Sequence, residues 1–313
     1  MSNSWRTSVL SKEQLEFFNE HGYLIISNAV EEKDREDLVD AIWQFSQLKP
    51  SSPDTWESDK TTLQRNGFLE MYHHPIQWKI RTDPRIYNIF ADLYQQDELW
   101  VSVDRVCLKP PSKGKFKSTG FYHWDFDVWE PCDRLHLQGL IALEDTDVNM
   151  GGFHCAPGMH KWIQQWAESH PTAPGPRNKF KHSGIPIRVP KKYLSQLERH
   201  DQPIPMKAGD LIIWRGELAH GNGENLSSIP RLAMYISMFP SDEEQLEWIQ
   251  SNINIWAMKL PGTQTPYPQL GWGFTENRPG DPRKIEQRQS HATELNPLGE
   301  RLVGLESWKT PWR

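Results

Sequence analysis

The chain has 313 residues, of which 37% are hydrophobic, and a formal net charge of −6. This composition supplies enough apolar surface for one large globular domain or two modest ones. The negative charge and the lack of a long basic run exclude a nucleic-acid-binding stripe, and no window approaches the roughly 20 apolar residues that span a bilayer.

The cysteines and the sequence ends bear on the cellular environment. Cys107, Cys132 and Cys155 are an odd number without a CxxC spacing, which argues against a disulfide framework and a zinc ribbon. The opening MSNSWRTSVLS lacks the apolar core of a secretory signal. We therefore expect a soluble, cytoplasmic protein. Neither nucleic acid nor a membrane is expected as a partner, and the expected assembly is a monomer or homodimer.

The N-terminal part is predicted to be helical. Ser11-Lys12-Glu13-Gln14 has the form of a capping box, and Gly22 is placed to end that helix before an extended Tyr23–Ile26. A second amphipathic helix is predicted over Glu31–Leu48, because its apolar residues recur at three- and four-residue steps. Residues 1–98 are therefore predicted to form a helical buttress.

From Leu99 onward, short apolar stretches alternate with turn residues, which is typical of a sheet-rich region. The candidate strands are Leu99–Leu108, Leu135–Leu143, Asp210–Trp214 and Arg231–Phe239. The turn-rich segments between them are Pro110–Gly120, Asp147–Gly152 and Pro171–Pro190.

Neither a repeat nor a low-complexity linker divides the chain. The simplest organisation is a single domain over residues 1–313, mainly β with helices, whose core at 99–240 is a double-sheet jelly roll. Residues 241–313 form a C-terminal extension, in which Leu295–Leu305 is predicted to add a helix over the core or to contribute to a dimer contact.

Metal ligation is indicated by one pair of residues. Of the twelve histidines only His123 is followed two positions later by an acid, Asp125, and residues i and i+2 of a strand share a face. His220, after the predicted strand Asp210–Trp214, is the best third ligand. Two histidines and one carboxylate form the facial triad that suits iron(II) and leaves coordination positions open. On spacing alone, the alternatives for the third ligand are His136, His154 and His160.

Arg231 adds an anion site to this constellation. A guanidinium at the start of a barrel strand indicates a buried anion, and its planar fork matches a carboxylate. We assign it to the far carboxylate of 2-oxoglutarate, whose 2-oxo acid end can chelate iron while dioxygen takes the remaining position. The alternatives are a non-catalytic jelly-roll module that binds a metal or ligand, and a zinc hydrolase built on the same ligands, which has no use for Arg231.

These residues resemble the phytanoyl-CoA dioxygenase family of iron(II)- and 2-oxoglutarate-dependent oxygenases, which includes the ectoine hydroxylases. The matching segments, in chain order, are Cys107–Pro111, His123–Asp125, Leu137–Asp145, Asn149–Gly152, Pro157–His160, Ala208–Asp210, His220–Asn222 and Arg231. The resemblance covers roughly residues 11–240 and implies a cupin-like double-stranded β-helix with iron at its open end. It also implies that His220 is the third ligand and that His160 belongs to a structural turn.

Around the cosubstrate, the resemblance implies contacts from Arg231 and Asn222. Leu140 stands where many members carry a tryptophan beside 2-oxoglutarate, and Cys107 stands where ectoine hydroxylases carry an asparagine. Asp125 occupies the position at which related halogenases have a small residue, so halogenation is disfavoured.

Three residues are candidates for substrate contact. Trp129 resembles the ectoine-hydroxylase residue beside the substrate, and Arg105 and Gln138 occupy strand positions predicted to face the same cavity. The alternative is packing for Trp129 and Gln138, and an ion pair with Asp104 or another acid for Arg105. The predicted reaction is hydroxylation of a small-molecule metabolite with release of succinate and carbon dioxide. Desaturation, epoxidation and cyclisation in secondary metabolism are alternatives that the same iron site serves.

Overall fold

The computed structural model describes nine stretches of the chain, which are 5–56, 62–116, 122–125, 128–129, 135–170, 187–188, 191–262, 278–289 and 292–309. The predictions that concern Cys132, residues 117–120 and most of Pro171–Pro190 lie outside the described residues. The helices are α1 Lys12–His21, α2 Glu32–Ser46, α3 Pro75–Arg81, α4 Pro84–Tyr94, α5 Ile163–Ser169, α6 Lys191–Glu198, α7 Leu246–Met258 and α8 Pro297–Val303. The strands are β1 Tyr23–Ile26, β2 Phe68–Leu69, β3 Leu99–Val101, β4 Val106–Lys109, β5 His123–Trp124, β6 Leu137–Ala142, β7 Phe153–Cys155, β8 Ile187–Arg188, β9 Gln202–Pro203, β10 Leu211–Arg215, β11 His220–Asn222, β12 Arg231–Ile236 and β13 Met238–Pro240.

The start of the chain follows its local signals. The Ser11 hydroxyl accepts from the Gln14 backbone N–H at 3.2 Å, and the Gln14 side chain accepts from the Ser11 N–H at 2.9 Å. Gly22 ends α1 with a φ of 80°, a left-handed conformation that glycine adopts without strain. The predicted capping box, helix α1 and the extended segment that becomes β1 are therefore confirmed.

The remaining N-terminal helices pack on the core. Helix α2 lies within the predicted Glu31–Leu48 and buries its Leu38, Ile42 and Phe45 face. Helices α3 and α4 each begin with a proline at the first helical position, where its missing N–H costs nothing, after the N-cap residues His74 and Asp83.

The strands form three antiparallel sheets. The large sheet has the order β1-β10-β6-β12-β4-β2, the small sheet has the order β8-β5-β11-β7-β9, and β13 pairs with β3 alone. Along the chain, strands from β4 to β7 and from β9 to β12 alternate between the large and the small sheet. The mainly β architecture with helices, which the sequence predicts, is confirmed.

Two predicted strands are wrong in extent. Leu99–Leu108 divides into β3 and β4, and Arg231–Phe239 divides into β12 and β13, each half joining a different sheet. The two breaks lie opposite each other, since the Ser102 N–H donates to the Ser237 carbonyl at 2.8 Å and the Ser237 N–H donates to the Ser102 hydroxyl at 3.0 Å. The predicted strands at Leu135–Leu143 and Asp210–Trp214 are confirmed as β6 and β10.

Side chains between the large and small sheets form an apolar interior. Cys107, Leu140, Phe153 and Trp214 belong to one buried cluster that draws on both sheets. The opposite face of the large sheet packs against the N-terminal helices and α8, while α5 and α6 cover the outer face of the small sheet.

The C-terminal extension contributes helices α7 and α8. The Asn296 side chain caps α8 by accepting from the Gly299 N–H at 2.7 Å, and the Asn252 side chain of α7 donates to the Val303 carbonyl at 2.8 Å. The predicted helix within Leu295–Leu305 is thus confirmed. In the part of the chain that the structure describes, no helix has the length and apolar character required to cross a bilayer.

Candidate metal centre

Two antiparallel strands bring His123 and His220 face to face. His123 of β5 is the register partner of His220 of β11, and their ring centroids are 4.3 Å apart. Asp125 comes two positions after His123, so that its side chain leaves the chain toward the same side. The Asp125 N–H donates to the Gly216 carbonyl at 3.3 Å, which fixes the chain just after β5.

These three side chains converge closely enough to hold one metal ion. Asp125 Oδ1 lies 3.7 Å from His123 Nε2, and Asp125 Oδ2 lies 3.6 Å from His220 Nε2. One ligand atom from each lies within 4.8 Å of the others, and the described residues contain no second group of this kind. Two imidazole nitrogens and one carboxylate oxygen form a donor set that suits iron(II) and other divalent transition metals.

His220 is prepared for ligation by its backbone. Its Nδ1 lies 2.8 Å from the Leu218 carbonyl oxygen. Because a carbonyl only accepts, Nδ1 carries the proton and the Nε2 lone pair faces Asp125. Burial lowers the pKa of His220 to about 3, so the ring is neutral at pH 7 and needs no deprotonation before it binds a metal.

The Asp125 carboxylate is buried and hydrogen-bonded. Burial raises its pKa to about 6, against the opposing effects of His123, Trp214 and Gln138. The Trp214 indole N–H donates to Asp125 Oδ2 at 3.2 Å. Trp214 and Gln138 are register partners on β10 and β6, and their side chains face this carboxylate together.

The other histidines considered as third ligands lie outside this group. His160 Nε2 lies 3.0 Å from the Asn19 carbonyl at the end of α1, and His154 Nδ1 lies 2.7 Å from an Asp201 oxygen. His136 is buried, and burial lowers its pKa to about 4.

Arg231 lies buried on the inner face of the large sheet. Its Nη1 donates to Asn222 Oδ1 at 3.0 Å, and its Nη2 contacts Cys107 Sγ at 3.4 Å. The Tyr235 side chain, four residues along the strand, also contacts it. Among the described residues, the partners of Arg231 are Asn222, Cys107 and Tyr235 rather than an Asp or Glu, and its Nε has no hydrogen-bond partner. The guanidinium therefore has capacity for an external anion.

Lys109 adds a second buried cation that sequence reasoning missed. It is the register partner of Arg231 across β4 and β12, and its ammonium donates to the Gly223 carbonyl at 2.6 Å. Burial, and then repulsion from Arg231, lower the pKa of Lys109 to about 8. The available signal was its position two residues after Cys107, on the same face of the strand.

Asn222 links the cationic end of the interior to the triad. It lies two positions after His220 on β11, and residues so spaced share a face about 7 Å apart along the strand. Cys107 and Leu140 line the apolar interior beside Arg231, since Cys107 contacts the guanidinium and Leu140 is the register partner of Tyr235. The structure thus brings together the four predicted cosubstrate residues.

Two of the substrate candidates make contacts elsewhere. Arg105 pairs with Glu70 at 3.1 Å and with Asp104 at 3.6 Å, which is the ion pairing predicted as its alternative role. The Trp129 indole donates to the His170 carbonyl at 3.1 Å, and its ring packs edge-on against Trp124. Of the three candidates, Gln138 is the one that the structure brings to the triad.

Comparisons with known proteins agree with this geometry. A family model described as phytanoyl-CoA dioxygenase matches residues 18–233. A Dictyostelium discoideum protein named "Putative phytanoyl-CoA dioxygenase" is 26% identical over 273 residues, covering 72% of this chain and 74% of that protein.

Solved structures with the same fold are also found. A hypothetical protein from Escherichia coli aligns with a TM-score of 0.65 at 17% identity, covering 94% of this chain and 82% of that one. EctD from S. alaskensis, solved with 2-oxoglutarate and 5-hydroxyectoine, aligns with a TM-score of 0.52 at 18% identity, covering 77% and 78%. At these identities the likeness concerns the fold. The family model matches well over half of this chain's residues, and the chain therefore belongs to the phytanoyl-CoA dioxygenase family.

Proposed function

We propose that this protein is an iron(II)- and 2-oxoglutarate-dependent dioxygenase that hydroxylates a small-molecule metabolite and releases succinate and carbon dioxide. One observation carries the proposal. The convergent His123, Asp125 and His220 and the Arg231 guanidinium, which has no carboxylate partner among the described residues, open onto one interior, with Asn222 between them. A zinc hydrolase would use the first feature and leave the second without a purpose.

His123, Asp125 and His220 would hold the iron. The neutral His220 ring and the buried carboxylate present lone pairs without rearrangement, which favours a preformed site. When bound, the iron supplies the chemistry of dioxygen activation. The protein contributes by excluding water, since Asp125 and His220 are each less than 5% exposed.

Arg231 would bind the far carboxylate of 2-oxoglutarate through its guanidinium fork, with Lys109 adding charge and Tyr235 and Asn222 orienting the fork. The spacing of about 7 Å between residues two apart on β11 is comparable with the length of a short dicarboxylic acid. Leu140 and Cys107 would form the wall along its carbon chain. The cosubstrate would thus lie between the cationic end and the metal.

The fold is proposed to be a double-stranded β-helix. Successive strands that alternate between two antiparallel sheets, as β4 to β7 and β9 to β12 do, support this assignment. We further propose that residues 1–313 form one domain, with 1–98 as the helical buttress, 99–240 as the jelly-roll core and 241–313 as the extension.

Substrate contact is proposed for Gln138, which faces the Asp125 carboxylate from the large sheet. Arg105 and Trp129 stay predictions. The same ligands would serve desaturation, epoxidation or cyclisation, and the shape of the substrate pocket decides among these outcomes.

Anaerobic reconstitution tests the proposal. Wild-type protein with iron(II) and 2-oxoglutarate should develop the weak visible charge-transfer band of the chelate. His220→Ala should lose the band, and Arg231→Gln should require far more 2-oxoglutarate, while the exposed Arg85→Gln should match the wild type. A metabolite screen that measures succinate would then identify substrates. A wild-type protein that binds iron(II) but gives no band with 2-oxoglutarate would refute the proposal.

A further inference from the structure

The outer face of the small sheet carries a polar contact directly behind the metal ligands. His123 and His220 point inward, so their strand neighbours Tyr122 and Gly221 point outward. On β7, Phe153 and Cys155 pack into the interior, which leaves His154 on the outer face. His154 is the register partner of Gly221.

Glycine at position 221 allows the two flanking side chains to meet. Tyr122 directly precedes β5 and His154 lies on β7, the two strands that flank β11, and such strands are about 10 Å apart. Their rings nevertheless approach to 5.4 Å between centroids. Because Gly221 has no side chain, the rings can close over β11 at the point where His220 projects from its other side.

Asp201 completes this contact from the connection between α6 and β9. Its carboxylate oxygens lie 2.7 and 2.8 Å from His154 Nδ1. The Tyr122 hydroxyl has no hydrogen-bond partner among the described residues, so Tyr122 joins this contact through its ring against His154, while Asp201 binds His154. The next two residues form β9, which pairs with β7.

Strand β5, which bears His123, has little backbone pairing of its own. Within the described residues, β5 pairs with β11 only through His123 and His220, and with β8 through two residue pairs. Two of the three proposed metal ligands belong to this short element or follow it directly. Side-chain contacts on its outer face therefore matter for the separation between His123 and His220.

We infer that Asp201 is a positioning residue for the metal centre. It holds the His154 ring in contact with the Tyr122 ring on the outer face of the small sheet, and so fixes the strand that bears His123 against the strand that bears His220. We call Tyr122, His154 and Asp201 the outer clamp. The inference rests on the proposed function, because it assigns the clamp to a metal site.

The test measures cobalt(II) affinity by competition with a chelator, at a temperature where every variant is folded. Asp201→Ala is expected to weaken cobalt(II) binding about three- to tenfold. This loss is smaller than that typical of residues that hydrogen-bond a metal ligand directly, because Asp201 acts through His154 and Tyr122. His154→Gln, which keeps a donor for Asp201, should retain more affinity than His154→Ala. The double variant Asp201→Ala with His154→Ala should be no weaker than Asp201→Ala alone, since both break one contact.

Asp97→Ala is the matched control, because Asp97 forms a 2.6 Å ion pair with Arg6 away from the small sheet. It should leave cobalt(II) affinity unchanged even if it lowers the melting temperature. Equal affinities for Asp201→Ala and the wild type would overturn the inference, as would additive losses in the double variant.

Hydrogen exchange separates failure of the clamp from failure of the proposed function. In metal-free protein, Asp201→Ala should speed amide exchange in the peptide that contains residues 122–125. Unchanged exchange there would overturn the clamp whether or not a metal binds. A wild-type protein without a charge-transfer band would instead overturn the proposed function.

Discussion

Replacing Trp214 by phenylalanine should weaken metal binding by removing one hydrogen bond. The Trp214 indole N–H donates to Asp125 Oδ2 at 3.2 Å, and both residues are 2% exposed, so water cannot replace the lost donor. A hydrogen bond to a charged group contributes about 1.5–3 kcal/mol, and a factor of ten in affinity corresponds to about 1.4 kcal/mol. The metal-free carboxylate loses part of the same stabilisation. We therefore expect a loss of about tenfold, at the lower end of the range for partners of metal ligands.

The effect of this variant should depend on pH in a defined direction. The indole N–H lowers the pKa of Asp125, which burial raises to about 6. Without it the pKa rises further, and protons compete better with the metal. The deficit of Trp214→Phe relative to the wild type should therefore grow as the pH falls from 8 toward 6.

Cobalt(II) titration at pH 8 and pH 6 measures both effects. Trp78→Phe is the matched control for loss of ring volume, because Trp78 is buried in α3 and its indole N–H has no hydrogen-bond partner among the described residues. Equal metal affinities for Trp214→Phe and Trp78→Phe at both pH values would refute the reasoning.

Three further outcomes are expected. Arg231→Lys should raise the dissociation constant for 2-oxoglutarate about 10- to 100-fold, because an ammonium cannot reproduce the bidentate fork, and unchanged titration of the charge-transfer band would contradict this. In the wild type, 2-oxoglutarate affinity should fall as the pH rises above about 8, where Lys109 loses its proton, and Lys109→Gln should bind more weakly but without this pH dependence. Burial lowers the pKa of His73 to about 3. The free energy of unfolding should therefore fall by about 2 kcal/mol between pH 6.5 and pH 5, because His73 takes up a proton in the unfolded chain but stays neutral in the folded one. Urea unfolding should show a smaller fall in stability with pH for His73→Gln than for the wild type. Equal pH dependence in the wild type and the variant would contradict this prediction.

Features set by neighbouring residues could be predicted from the sequence. The capping box at Ser11 and the glycine stop at Gly22 require only contacts within one helix, and both occur as expected. The spacing of His123 and Asp125 likewise needs only the alternation of a strand. The convergence of His220 with this pair depended on the family resemblance, since spacing alone left other histidines open.

Features set by strand register could not be predicted in this way. Lys109 becomes part of the proposed anion site because β4 pairs with β12 so that it stands opposite Arg231. The breaks at Ser102 and Ser237 lie opposite each other, joined by hydrogen bonds between residues 135 positions apart. A single sequence carries no signal for such pairings, because any one-residue shift of a strand would place different side chains opposite each other.

The interior of the protein keeps its opposite charges apart, and this separation has an energetic consequence. Asp125 at one end and Lys109 at the other are both buried, and burial moves both pKa values toward the neutral form. A direct ion pair between Asp125 and Arg231 would offset much of the cost of burying these charges. Arg231 donates instead to the neutral Asn222, which lies two strand positions beyond His220. A divalent cation at the triad and a dicarboxylate at the cationic end would each supply the missing countercharge. Because metal and cosubstrate complete the charge balance of the same buried interior, the rise in melting temperature with both bound should exceed the sum of the two separate rises, and a merely additive rise would contradict this coupling.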